Sequence, residues 1–592
     1  MRSTHIRSVA VAVAVTTAAT GLAGTAFAGP ATGERQPAAT ASATTAAQVV
    51  AAARTAAFAH AAATGVGAGD ELRPQDVMID PEGARHVRFV RTHQGMPVLG
   101  GDLVVHLSRR LAYTGVTRAA DHSVRPAATE AKLTARQAEE KAAAAADGDA
   151  GPARLVVDAR DGAATLAYQV SVDGANGSST VVVDALTGRV RSNTPDSDEF
   201  LSPRLLDTLR RHGETLDPAT GTGARALAGA SVTAATRYPV TAHGSGRSLF
   251  VGKVPLTTTQ TARKNFLLKD PTRYGTETRD AKGRETESFG QGAEFTSTTD
   301  SWGNGTTSSR GSAAADAQYG ITETLDFYRK TFGRKGMANN SKPARAMVHW
   351  GKKVGNAFWD STCGCMLYGD GDGDEIKKPL VVLDVTGHEL THGVVDATAK
   401  LEPTYVDNDG NQFGEPGALN ESLADIFGSG VEFFANNPKN PPNYLLGEKL
   451  GLRQKFLRRL DHPSLDRLEG TVDYWSPEVA DAEVHAGSGV SSHAFYLLAE
   501  GSGRKKIGAT TYDSPTYDGS TVTGIGRAKA TAIFYRALTR YMVSSTDFHD
   551  ARIATLKAAK DLYGASGVEY RTVDQAWAAV DVTEADTPGA RH

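Results

Sequence analysis

The sequence predicts an α+β protein in three successive parts: a small α+β unit, a β-rich lobe and a mostly helical lobe. Three observations carry this reading. From 82 to 191, short runs such as "RHVRFVRTHQGMPVLGGDLVVHLS" and "LAYQVSVDG" alternate apolar and polar residues around the Ala-rich helical stretch "TARQAEEKAAAAA". From 232 to about 382 the chain is strand-like and rich in Thr, Ser, Gly and Asp. From 384 onward the apolar spacing turns helical, with candidate helices at 384–398, 417–435, 489–501, 525–543 and 547–563.

Taken in order, the N-terminus comes first. Arg2, His5 and Arg7 precede the apolar run "VAVAVTTAATGLAG" and the small-residue site "AFA", the pattern of a secretory signal peptide over residues 1–28 cleaved after Ala28. The run is too short and too rich in Ala and Thr for a membrane anchor, and no later stretch approaches about 18 apolar residues, so the chain is expected to be exported, without a membrane partner. Residues 29 to about 66 read as a mobile Ala/Thr leader containing a helix in "AAQVVAAARTAAFAHAAA". The α+β unit follows and shows no catalytic constellation. Residues 192–231, with "SNTPDSDEF", "LLDTLRRHGE" and "DPATGTGARALAGAS", read as a polar link with a short helix, open to proteolysis. The domain division is therefore 1–28, 29–231, 232–398 and 399–592.

The 592 residues are enough for two or more cores. Sixty-four basic against 67 acidic residues leave a net charge of −3, which gives no footprint for nucleic acid. The two cysteines, Cys363 and Cys365, are spaced either for a tight bridge about Gly364 or as two free thiols; neither number nor spacing suits a zinc–cysteine cluster.

Chemistry concentrates in "DVTGHELTHGVVDA", residues 384–397. On a helix, positions i and i+4 share a face, so His388 and His392 can aim their imidazoles at one ion. Glu389 projects about a quarter-turn round, a poor third ligand but placed to touch a water at the metal. A catalytic zinc also needs a third ligand. In "GALNESLADIFG", Glu421 can ligate while Asp425, one turn on, fixes a histidine tautomer. The bland alternative is two surface histidines and a solvated acidic face.

From about 232 to 582 the chain resembles the thermolysin-like neutral metalloproteases. The resemblance is carried by "NAFW", "YGDGDG", "DVTGHELTHGV", "GALNESLADIFG", "LRRLDHPS" and "VHAGSGVSSHAFYLL", in that order. It implies a β-rich and a helical lobe, with the helix bearing His388 and His392 crossing the cleft between them. It implies that His388, His392 and Glu421 hold one catalytic Zn²⁺ and that Glu389 is general base and proton shuttle. Asp425 and Asn420 would support the histidines, and His485 would stabilise the oxyanion. Asn356 and the Ala357 backbone would bind extended peptide, Arg458 a substrate carbonyl, and Ile376 and Leu457 would wall an apolar pocket after the cut. Asp384, Glu432 and Glu448 match structural calcium ligands; Asn443 and Leu445 replace carboxylates of double-site members, so one Ca²⁺ is expected.

Two departures bear on catalysis. The family's second oxyanion donor is a tyrosine where this chain has Gln412, leaving Tyr405 as a substitute if the loop bulges. The carboxylate that orients the oxyanion histidine is displaced by one position, leaving Asp481 or Glu483. The resemblance also makes the first 230 residues a propeptide, a folding aid and inhibitor released by self-cleavage between 192 and 240. The expected function is a secreted, monomeric zinc endopeptidase acting on proteins and peptides. The alternatives are a secreted zinc-binding protein of the same fold with lost or weak activity, and a metal-dependent ester hydrolase.

Overall fold

The computed structural model describes residues 45–174, 177–211, 238–286 and 288–583; the signal peptide read at 1–28 lies outside the described residues. Helix α1 (Ala46–Ala59) turns Val49, Ala53 and Ala57 inward at four-residue spacing. Their small side chains let it lie close against Phe89, Leu103 and Val105. The second half of the stretch read as a mobile leader is thus a packed element.

The pro-region sheet runs, in spatial order, 190–195, 177–184, 165–174, 154–158, 96–99, 85–93, 103–107 and 113–118, with 70–79 added on 85–93. Its halves join where Val98 and Leu99 pair in parallel with Val157 and Asp158. Helix α2 (Ala135–Ala146) starts at a capping box, Thr134 and Gln137 exchanging side-chain and backbone bonds. It sets Ala138 and Ala142 on Leu166, Val170 and Val181.

The stretch read as a polar link is corrected over its first ten residues, its short helix is present, and 212–231 lie outside the described residues. Val190–Pro195 is the last strand of the pro-region sheet, and Ser197–Glu199 crosses over to become the edge strand of the next sheet. Phe200 and Leu201 are fully buried, and helix α3 (Pro203–Arg211) buries Leu205 and Leu209 in the catalytic core.

That next sheet has the order 197–199, 357–360, 365–368, 345–348, 276–280 and 269–270; a second, five-stranded sheet spans 240–302. Helix α4 (Arg310–Phe332) packs against both. It lies inside the stretch read as strands because it is buried on nearly every side and shows no amphipathic stripe. Cys363 and Cys365 are bridged at the turn between strands 357–360 and 365–368, with Gly364 at φ 59°.

Helix α5 (Leu383–Asp396) is buried from Leu383 to Val395 and lies against helix α6 (Glu415–Ala435). Glycines permit the approach: a Cβ on Gly387 would come within 3.0 Å of the Gly428 Cα, and one on Gly428 within 2.8 Å of the Asp384 carbonyl. Helices α7 (Gly489–Glu500), α8 (Arg527–Arg540), α9 (Phe548–Tyr563) and α10 (Val568–Ala578) complete the helical lobe. Among the described residues no helix is long and apolar enough to cross a membrane.

Candidate active site

The close contact of α5 and α6 brings three donors together. His388 Nε2 and His392 Nε2 stand 3.0 Å apart, and Glu421 reaches them at 3.4 Å and 3.6 Å. Each imidazole is held from behind: His388 Nδ1 donates to Asp425 Oδ1 at 2.8 Å, and His392 Nδ1 to Asn420 Oδ1 at 3.0 Å. Those bonds leave both Nε2 lone pairs facing Glu421, the tautomers a metal requires. Both oxygens of Glu389 and Oε2 of Glu421 are buried without a hydrogen-bond partner among the described residues. Orphaned buried carboxylate oxygens beside two aimed imidazoles are what a divalent ion and its water would satisfy. The residues therefore fit zinc.

Electrostatics follow from burial and neighbours. Burial lowers His388, but Asp425 and Glu421 outweigh it and hold the imidazole at about 9. Burial takes His392 down to about 4 against the pull of Glu421. Burial raises Glu389 well above the usual carboxylate range, whereas the surrounding histidines overcome it at Glu421 and depress that group. Arg458 does the same for Asp425, donating from Nε at 2.8 Å and Nη2 at 2.9 Å. A cation needs neutral imidazoles, so metal and proton compete at His388.

The pro-region lies in this cleft. Ser197–Glu199 pairs antiparallel with Phe358–Asp360. Bonds from Phe200 N–H to the Ala357 carbonyl and from Ser361 N–H to the Asp196 carbonyl flank Glu199, so its own carbonyl points away from the edge strand. His485 Nε2 donates to that carbonyl at 2.7 Å. His485 Nδ1 faces both oxygens of Glu483 at 3.0 Å, so acceptors meet both ring nitrogens. Burial disfavours the imidazolium, but Glu421 and Glu483 prevail and raise His485 well above its ordinary value. Glu483, not Asp481, is thus the orienting carboxylate. It caps the short helix Val484–Gly487, accepting from the His485 N–H at 2.8 Å, while Asp481 ends the preceding turn exposed to solvent.

Tyr405 is not brought to the Glu199 carbonyl. It is 43% exposed and stacks on Phe413 at 4.5 Å in a two-stranded hairpin whose other strand carries Gln412. Asn356 grips Leu201 with both amide atoms, and Arg458 donates to the Phe200 carbonyl. Ile376 and Leu457 are fully buried in the same core as Phe200. Sequence reasoning missed the cleft segment itself; the apolar pair Phe200–Leu201 after "SDE" was the available signal.

A second cluster uses the same two helices. Asp384, Glu432 and Glu448 bring carboxylate oxygens within 4.8 Å of one another. Asn443 Nδ2 donates to Glu432 at 3.4 Å and Glu448 at 3.2 Å; Leu445 contributes only its backbone N–H, to the Asn443 side chain. Asp384 Oδ1 and Glu448 Oε2 have no partner among the described residues. Burial raises all three acids, Glu448 to about 8.

Fold and site together define a metallopeptidase precursor with its own pro-segment in the cleft. The thermolysin metallopeptidase catalytic domain matches residues 243–396, its alpha-helical domain 411–582, and the fungalysin/thermolysin propeptide motif 70–119. The transglutaminase-activating metalloprotease of Streptomyces mobaraensis is 38% identical over 88% of this chain, which spans 62% of that relative's length. Thermolysin from Bacillus sp. (strain EA1) is 31% identical over 85% of this chain and 84% of its own. Among solved structures, the precursor of protealysin from Serratia proteamaculans aligns at 29% identity with a TM-score of 0.39, covering 52% of this chain and 87% of that one. The chain belongs to the thermolysin metallopeptidase family.

Proposed function

We propose that the chain is a secreted zinc endopeptidase, made as a precursor, that hydrolyses protein and peptide bonds with an apolar residue after the cut. The observation that supports it most is the pair of Nε2 atoms converging on Glu421 with the unpartnered Glu389 carboxylate beside them. His388, His392 and Glu421 would hold zinc, which when bound supplies Lewis-acid chemistry, polarising a carbonyl and acidifying water. Glu389, its proton affinity raised by burial, takes a proton from the attacking water and returns it to the leaving nitrogen. His485 N–H donates to the carbonyl oxygen, and that bond strengthens as negative charge develops. Arg458 and Asn356 fix the next two residues of the substrate, and Ile376 and Leu457 favour an apolar side chain by about 1.5 to 3 kcal/mol.

Asp384, Glu432 and Glu448 would bind one structural Ca²⁺, since hard oxygen donors suit that ion. The working unit is a monomer acting outside the cell. The test is cleavage of a blocked peptide with Leu after the scissile bond, with and without a zinc chelator, beside Glu389→Ala. Loss of activity under both treatments is expected. A folded, zinc-loaded, processed protein that cuts nothing would instead favour the zinc-binding protein of the same fold.

A further inference from the structure

The segment in the cleft makes the contacts of a substrate, residue by residue. The Glu199 carbonyl accepts from His485 Nε2 at 2.7 Å. One residue on, Phe200 N–H donates to the Ala357 carbonyl at 3.1 Å, and the Phe200 carbonyl accepts from Arg458 Nη1 at 3.1 Å. At the next residue, Leu201 N–H donates to Asn356 Oδ1 at 3.0 Å and its carbonyl accepts from Asn356 Nδ2 at 3.1 Å. The Phe200 ring is fully buried, edge-on to His388 at 5.1 Å and under the Arg458 guanidinium at 5.1 Å. The amide between Glu199 and Phe200 is the peptide bond with the oxyanion donor on one side and the apolar pocket on the other.

We infer that Glu199–Phe200 is the bond this chain first cuts in itself. The inference rests on the peptidase reading and sharpens it to one substrate. Water is the co-reactant: its oxygen bonds to the Glu199 carbonyl carbon, the bond to the Phe200 nitrogen breaks, and Glu389 carries both water protons in turn to that nitrogen. The products are a Glu199 carboxylate and a Phe200 ammonium group.

The new carboxylate arises at the atom that His485 Nε2 already contacts, 2.7 Å away. The other product stays docked, because Leu205 and Leu209 of α3 remain in the catalytic core. The first cut therefore clears only one side of the cleft.

The test follows the purified full-length precursor by intact mass and N-terminal sequencing from the earliest times after zinc addition. The expected first pair of products ends at Glu199 and begins at Phe200. Phe200→Leu keeps this cut. Phe200→Asp slows it by about 10-fold to 200-fold, the discrimination an apolar pocket gives. In metal-free Glu389→Ala precursor, exchange of the Phe200 and Leu201 amide hydrogens is expected to be slowed at least about tenfold relative to the unpaired chain. A first new N-terminus elsewhere, with Glu199–Phe200 recovered intact, overturns the inference while blocked-peptide cleavage leaves the peptidase reading standing. Unprotected amides overturn it without reference to activity. If folded, zinc-loaded precursor cuts neither itself nor the blocked peptide, the peptidase reading falls as well.

Discussion

Among the described residues, two of the contacts between the pro-region and the catalytic unit differ in kind. In the cleft it presents mostly backbone: the carbonyls and amides of Glu199, Phe200 and Leu201 are held by His485, Ala357, Arg458 and Asn356. Around α8 and α9 it presents side chains. Asp80 takes Arg536 through both oxygens and Arg540 at 3.4 Å, Asp102 takes the Ser544 hydroxyl at 2.6 Å, and buried Arg88 reaches the Met542 carbonyl at 2.8 Å. Met78, Val104 and Val543 make the accompanying apolar contact. Backbone recognition accepts many sequences and uses the same groups that would act on any substrate. Charge recognition is specific to this pro-region and does not involve the residues around the zinc donors. If the cleft segment is cut as inferred, the first contact is lost and the second is left to hold the fragment.

The largest expected effect breaks the first contact's chemistry alone. Glu389→Ala should lower both self-cleavage and blocked-peptide hydrolysis by about 10² to 10⁴-fold, the usual worth of a positioned general base. Mass spectrometry should find the precursor intact while its melting temperature stays near that of wild type.

Next comes the retaining contact. Burial alone would raise Asp80, but His86 and Arg536 hold it well below the usual carboxylate range. Asp80→Ala takes the carboxylate from Arg540 and His86 while Arg536 keeps Asp561 at 2.8 Å, a loss of about 3 kcal/mol. Titration calorimetry of separated pro-fragment and mature enzyme should show affinity weakened by roughly 10² to 10³-fold. Unchanged affinity would mean that the cleft alone holds the fragment.

Arg458→Lys probes the cleft more gently, removing the fork that joins the Phe200 carbonyl to Asp425. It should cost about 1.5 to 3 kcal/mol in kcat/KM on blocked peptides, the worth of a hydrogen bond to a charged group. Pro-fragment contacts at α8 should be unaffected.

The smallest effect is a pH dependence that separates the two contacts. His106 is buried with Nδ1 2.8 Å from His86 Nδ1 and Nε2 3.1 Å from the Thr117 hydroxyl. Burial, then the neighbouring His86, Lys557 and Arg88, lowers it well below its ordinary value; Asp80 opposes, and Tyr541 packs on the ring. Docking adds the Lys557 charge and burial against Tyr541 to the effects of His86 and Arg88, so the docked imidazole is harder to protonate than the free fragment's; that contribution to docking is present above the free fragment's pKa and is lost as pH falls below it, by up to about 1.4 kcal/mol per unit. Pro-fragment binding should weaken about tenfold between pH 7 and 5.5 and flatten in His106→Gln, as followed by surface plasmon resonance.

Legibility in the sequence tracked distance along the chain. His388, Glu389 and His392 lie within five residues, and Asp425 stands one turn from Glu421, so helical spacing alone aligned them. Helix α4 was hidden because burial on nearly all sides erases the polar face that periodicity detects. Asp481 and Glu483 could not be told apart, since both are acids near His485 and only the cap geometry at Val484 turns one of them onto the ring.

By itself, then, the sequence determined the donors: which imidazoles and carboxylates exist, and which share a helical face, because helix geometry is set by local backbone bonds. Only the tertiary structure decided what they face. The polar "SNTPDSDEF" has the composition of a linker, yet it supplies the edge strand that brings Glu199 to His485, 286 residues away. Strand pairing is a contract between distant backbones, and no local pattern in either partner records it.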